Sequence, residues 1–185
     1  MSLWITTNTT KYLGTRKSDC MNLKKQFLED WKHTRNNTLR FIDSIPNKKL
    51  SFKPHRNFGT LGKQLRHLAD VQECYLKGIK TGVIEFSRKR KDFSMETDKQ
   101  KLINYFRQQD KDLILMLKIM HETDLRKNII WKECGKPTIY STLIYMKEHE
   151  IFHQGIFNYA LNLQGLNHLD FSSFSKTQSL YSHKQ

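Results

Sequence analysis

The chain has 185 residues and a formal net charge of +14, from 32 Lys and Arg against 18 Asp and Glu. That length suits one domain with one sizeable core, and 37% hydrophobic residues are too many for a disordered chain. No apolar run approaches a membrane span and residues 1–19 lack the apolar stretch of a secretory signal. Cys20, Cys74 and Cys134 are widely spaced without a C-x-x-C, which points to reduced thiols and a cytoplasmic protein.

Residues 1–20 are rich in Thr and Asn and have no period, so they are expected to form a peripheral leader. From Met21 to Ser44 the residues Leu23, Phe27, Trp31, Thr34, Thr38, Phe41 and Ile45 recur at steps of three and four, which predicts a helix closed by Pro46. After a connector, Thr60 is placed to cap a second helix running to about Lys80, with Gly82 just beyond it. Its inward stripe reads Leu61, Leu65, Leu68, Gln72, Tyr75 or Leu76, and Ile79. Residues 82–96 form a basic, irregular link containing the run Arg88-Lys89-Arg90-Lys91.

Thr97-Asp98-Lys99-Gln100 fits a capping box opening a third helix, whose apolar face carries Leu102, Ile103, Phe106, Leu113, Leu117 and Met120. Residues 122–137 contain a β-prone piece, Asn128 to Trp131, expected as a loop or small hairpin. A fourth helix spans about Thr138 to Gln164, with Gly165 after its end. Its stripe is expected to run through Thr142, Tyr145 or Met146, His149, His153, Ile156, Ala160 and Leu163. The tail, 166–185, is Ser-rich and expected to pack weakly. Four long amphipathic segments over 21–165 predict an all-α four-helix bundle with one longer crossover.

His149-Glu150-Ile151-Phe152-His153 reads H-E-x-x-H inside the fourth helix. Residues four apart share a helix face, so both imidazoles can reach one metal ion. The zinc-protease reading fails on the rest of the chain. No Glu follows Glu150, and the extended H-E-x-x-H-x-x-G-x-x-H pattern meets Ile156 and Tyr159 instead of Gly and His. In a bundle a third ligand comes from a facing helix. His67, beside the apolar stripe of the second helix, is best placed. His33, His55, His121 and His168 are expected to be exposed or peripheral. Cys74 shares a face with His67, but lies too far along the axis for the same ion and is expected in the core. Glu150 points about 100° away from His149, which suits support of a ligand or a surface role better than catalysis. Asp70 could orient the His67 imidazole or simply pair with Arg66. Trp31, Tyr75 and Tyr145 are expected in the core or lining a pocket.

The stretch Gly59-Thr60-Leu61-Gly62-Lys63-Gln64-Leu65-Arg66-His67-Leu68-Ala69-Asp70, followed after a long gap by His149-Glu150-Ile151-Phe152-His153-Gln154-Gly155, resembles the DinB-like metal-binding superfamily over about residues 21–165. The resemblance implies a four-helix bundle, often dimeric, in which three histidines hold a divalent metal, commonly zinc or nickel. Carried onto this chain, those ligands are His67, His149 and His153. It also implies a thiol S-transferase activity that uses a low-molecular-weight thiol, and a three-histidine ion with open positions would suit hydrolysis of a small molecule as well. Two other readings compete. The +14 charge would suit a basic nucleic-acid-binding protein, and a dimeric stress protein could hold a purely structural metal.

Overall fold

The computed structural model describes residues 22–86 and 93–166. The expected leader, the Arg88–Lys91 run, Cys20, His168 and all of the expected tail except Leu166 lie outside the described residues. Helices α1 (Leu23–Ser44), α2 (Leu61–Thr81), α3 (Lys99–Ile119) and α4 (Ile139–Asn162) make the bundle. Two short strands, β1 (Val83–Ile84) and β2 (Ile130–Trp131), pair in parallel at one end. The β-prone piece therefore finds its main partner far back in the chain, although Trp131 and Gly135 also exchange backbone hydrogen bonds across a tight turn.

The helix ends follow from their capping residues. Thr60 Oγ1 accepts from the Lys63 N–H at 3.1 Å, and Thr138 Oγ1 accepts from the Ser141 N–H at 3.0 Å. Gly82 closes α2 at φ +81°, a left-handed conformation that favours glycine. One cap differs from the expectation. Asp98, not Thr97, caps α3, its carboxylate accepting from the Gln100 and Lys101 N–H groups, while Thr97 donates to the Ser94 carbonyl. A carboxylate one residue closer to the helix wins because it reaches two amide donors and carries the charge that suits a helix N-terminus.

Helix α1 packs on α3 and α4, and α2 packs on the same two, so α1 and α2 occupy opposite corners. The α1–α2 and α3–α4 links both cross the bundle, in place of the one longer crossover expected. Phe27 and Trp31 share a cluster with Ile139, Leu143 and Met146, whereas Phe41 and Ile42 meet Phe157 and Ala160. Helices α1 and α4 therefore run the same way. By the same partition α2 and α3 run together, against them, with Leu65 and Leu68 near Leu102 and Phe106, and Leu76 and Ile79 near Leu113 and Leu117.

Between the two apolar clusters lies a polar layer. Arg35 and Thr38 of α1, Gln72 of α2 and Glu150 of α4 are all buried, and Asp110 of α3 is largely so. Arg35 Nε donates to Asp110 Oδ1 at 2.9 Å and its Nη2 donates to Gln72 Oε1 at 2.6 Å. Its Nη1 lies 3.3 Å from Glu150 Oε1. Thr38 Oγ1 donates to the same Glu150 oxygen at 2.5 Å, and Gln72 Nε2 donates to the other. The guanidinium also lies against the Trp31 and Phe106 rings, 4.7 and 4.4 Å from their centroids. A buried charge is tolerable only when paired and hydrogen-bonded, and this layer supplies both.

This layer corrects the expected stripe of α4. The residues that face the core are Ile139, Thr142, Leu143, Met146, Glu150, His153, Gln154, Phe157, Ala160 and Leu161. The stripe is rotated by about one residue, so Glu150 is fully buried and the expected surface role for it does not hold. His149 lies at the edge of the core, and Tyr145 and Leu163 are exposed. The apolar-only reading misplaced them because the carboxylate, paired to Arg35, occupies the inward position that the reading gave to an imidazole. Cys74, expected in the core, is only partly buried.

Candidate metal centre

Helices α2 and α4 run antiparallel and in contact, which brings one early residue of α2 level with the middle of α4. His67 projects from α2, and His149 and His153 project one turn apart from α4. The three rings converge, with centroid separations of 5.7 Å (His67–His149), 5.3 Å (His67–His153) and 4.6 Å (His149–His153). One ring nitrogen from each can be chosen so that all three lie within 4.8 Å of one another. Imidazoles bound tetrahedrally to one ion at about 2.1 Å would place their nitrogens about 3.4 Å apart, so an ordinary side-chain rotation closes the set.

The three differ in exposure, from His67 at the open mouth, through the half-buried His149, to the buried His153. Phe152 and Phe157 each place a ring 5.7 Å from His153, and the fully buried Phe157 closes its inner side. Burial disfavours the charged imidazolium. It pushes His149 down to about 4 with help from His67, and pushes His153 down to about 3 with help from both other rings. His67 is lowered as well, chiefly by burial of its inner edge, with Asp70 opposing and Arg66 adding to the shift. All three rings are therefore neutral near pH 7, the state a metal requires.

Nδ1 of His149 and Nδ1 of His153 are shut away from solvent with no hydrogen-bond partner among the described residues. Buried polar atoms in folded proteins are almost always partnered. Two orphaned nitrogens, in rings held within reach of a third, fit a site whose missing partner is a ligand. The donor set, three neutral nitrogens, suits a borderline divalent cation such as zinc or nickel.

Asp70 does not primarily orient His67. Its Oδ2 accepts from Arg66 Nη1 at 2.6 Å, while Arg66 Nε donates to Glu96 Oε1 at 2.7 Å. Its charge still raises the basicity of His67 through space. Glu150 faces away from the imidazoles into the polar layer, with burial raising its carboxyl above the ordinary range against the pull of Arg35, Thr38 and Gln72. His33, His55 and His121 are exposed and apart from the group.

A second feature lies along the same α2–α4 groove and was only partly legible in the sequence. Tyr75, Phe86, Trp131 and Tyr145 form a chain of ring contacts at 5.7 to 5.8 Å, mostly edge to face. Tyr145 stands one helical turn before His149. Phe86 and Trp131 reach the cluster through the strand pair β1–β2, a long-range contact that no local pattern announces.

The comparisons with known proteins agree with this architecture. No curated protein matches the chain. A DinB-like protein from Bacillus cereus superposes with a TM-score of 0.67 at 18% identity, covering 78% of this chain and 95% of that one. A DinB-like protein from Bacillus subtilis superposes with a TM-score of 0.65 at 21% identity, covering 79% of this chain and 96% of its own. These likenesses establish the bundle fold. The sequence model of the DinB family matches residues 17–179, nearly the whole chain, and on that ground the protein belongs to the DinB family.

Proposed function

We propose that His67, His149 and His153 hold one divalent metal ion, zinc or nickel, and that the protein uses it as a thiol S-transferase or hydrolase acting on a small molecule. The observation that carries this reading is the pair of orphaned, buried Nδ1 atoms of His149 and His153 beside the third imidazole. Three neutral ligands leave the full charge of the ion uncompensated, and a bound ion of that kind lowers the pKa of a water or small thiol so that it becomes a nucleophile at neutral pH. The chain's own residues do the rest. Neutral His149 and His153 fix the ligand set against α4, and the buried Phe157 keeps water from its inner side. Exposed His67 leaves the outer side open to a substrate. Asp70 holds negative charge near His67 and strengthens it as a donor.

The protein is proposed to work as a homodimer. Ile151, Phe152 and Tyr159 are exposed apolar residues on one side of α4 and offer a face for a second copy. The test of the metal reading is elemental analysis of protein purified without metal-affinity resin. One metal per wild-type chain is expected, with loss of that metal in His67→Ala, His149→Ala and His153→Ala. The same substoichiometric content in all four proteins would end the proposal. A panel of low-molecular-weight thiols and electrophiles then separates an enzyme from a protein with a structural metal.

A further inference from the structure

The face of the bundle opposite the histidines carries a second concavity. Helices α1 and α3 enclose a groove of about 640 Å³, within the size range of small-molecule sites. Its walls are apolar, built from Leu28 and Trp31 on α1 and from Ile114 and Leu117 on α3. Ile114 is 51% exposed and continues the apolar wall to the groove's edge. Helices α2 and α4, which carry the three histidines, lie across the bundle, so the two sites share no residue.

The rim is strongly basic. Lys24, Lys25 and Lys32 line it from α1, and Lys118 lines it from α3. Lys24 Nζ donates to the Met120 carbonyl. Lys25, Lys32 and Lys118 have no ion pair among the described residues. Two acids also reach the groove. Asp110 is engaged by Arg35 and by the Trp31 indole N–H, at 2.9 Å each, so its charge is already answered. Glu29 is the remaining acid on the rim. The balance at the edge is therefore cationic, over a floor that is mainly apolar.

We propose that this groove binds a single-chain amphipathic carboxylate, a fatty-acid-like anion, with the hydrocarbon across Leu28, Trp31, Ile114 and Leu117 and the carboxylate among the rim lysines. The chemistry follows from the pairing. A small inorganic anion would leave the apolar floor uncovered, and a neutral hydrocarbon would leave the lysines unanswered. A nucleic acid would present its phosphates to the lysines but has nothing flexible and aliphatic to lay along the floor. Long lysine stems extend the apolar walls while their ammonium ends stay in water, which suits the junction between a chain and a headgroup.

The experiment is calorimetric titration of the full-length protein with decanoate, below its micelle concentration, beside decan-1-ol. Saturable binding of one decanoate per chain is expected, with decan-1-ol at least roughly tenfold weaker because the lysines discriminate charge. The doubly substituted Lys25→Glu/Lys32→Glu protein should lose about tenfold in affinity for decanoate and keep its weak affinity for decan-1-ol. Ile114→Glu should abolish binding of both. These residues are exposed, and an unchanged circular dichroism spectrum and metal content confirm that each variant is folded. The proposal is overturned if wild-type protein shows no saturable decanoate binding, if the alcohol binds as well as the acid, or if a folded variant binds like wild type. It is equally overturned if the protein sediments with phosphatidylglycerol vesicles but does not take up free decanoate, since the groove would then be a membrane contact.

Discussion

His149 and Glu150 are neighbours in sequence, yet they belong to two polar regions that the fold treats in opposite ways. Glu150 points into the bundle, where its carboxylate meets Arg35, Thr38 and Gln72 from two other helices. His149 points into the α2–α4 groove, where its buried Nδ1 meets no donor or acceptor among the described residues. Both positions pay the desolvation of a polar group. One region answers that cost from within the chain, with Arg35 Nη1 met by the Glu150 charge at 3.3 Å in place of a hydrogen bond, and the other leaves it open. A closed network fixes the packing of the helices, whereas an open one has capacity for a ligand. The difference separates structure from function in this bundle more sharply than burial does, since Glu150 and His153 are both buried.

The largest expected effect breaks the closed side. Replacing Glu150 by Ala leaves the buried Arg35 with only part of its compensation and empties a position that touches three partners. A loss of about 3–5 kcal/mol in urea unfolding is expected. Glu150→Gln keeps shape and one acceptor and should cost clearly less. If Glu150 is structural, the Gln variant retains the wild-type metal content. Loss of metal in a folded Glu150→Gln protein would instead tie the carboxylate to the open side.

The second prediction loads the open side. Excess zinc should raise the melting temperature of the wild-type protein by about 5 °C or more, because an ion that binds only the folded state stabilises it by mass action. The same zinc should leave His153→Ala within about 1 °C of its metal-free value. Equal shifts in both proteins would mean that the metal binds elsewhere.

These two regions were unequally legible in the sequence. H-E-x-x-H announces itself through helical spacing, and His67 stands out as a histidine beside an apolar stripe on a facing helix. The structure brings those three residues together. The ends of α2 and α4 were equally plain, because Thr60, Gly82 and Thr138 act within a few residues of themselves. The polar layer was not legible. Arg35 and Asp110 look like surface residues one at a time, Gln72 stands on an inward stripe with no partner in view, and only the tertiary fold makes the three mutual partners. That hidden layer also rotated the α4 stripe, because a reading by hydrophobicity alone gives Glu150 to solvent. The β1–β2 pair was missed for a related reason, since its two strands are far apart in the chain and neither is long enough to show a period.

A third, smaller effect is a pH slope in the metal-free protein. His149 and His153 have their basicity lowered to about 4 and about 3 in the folded state, from an ordinary value near 6.5. The unfolded chain therefore takes up protons first as the pH falls. Stability supplied by the neutral rings is complete above about pH 6.5 and is lost progressively as the pH drops toward 4. The titratable group facing both rings across the groove is His67 on α2, whose own basicity responds to Asp70 and Arg66. Glu150 acts in the other sense, because its raised value makes the folded state weaker as the pH rises past the ordinary glutamate range. The double variant His149→Ala/His153→Ala isolates the two contributions. Its unfolding free energy, measured with chelator between pH 7 and pH 4.5, should fall less steeply than that of wild type. A slope equal to that of wild type would show that other groups carry the acid response.

The smallest effect is the most telling for the contrast between the two regions. A double-mutant cycle of His149→Ala and Glu150→Gln, measured by urea unfolding without metal, tests whether adjacent residues are energetically separate. Neighbours in one network usually couple by about 0.5–3 kcal/mol, and independent sites add within about 0.5 kcal/mol. The side chains diverge by about 100° around α4, and no hydrogen bond joins them among the described residues. Near-additivity is therefore expected despite the shared peptide bond. Repeating the cycle with saturating zinc sharpens the result, since only the wild type and Glu150→Gln should gain stability, and by the same amount. A coupling above about 1 kcal/mol in the metal-free cycle would show that the buried layer and the histidine groove are one network. The rigid layer would then be part of how the groove is held open for its ligand.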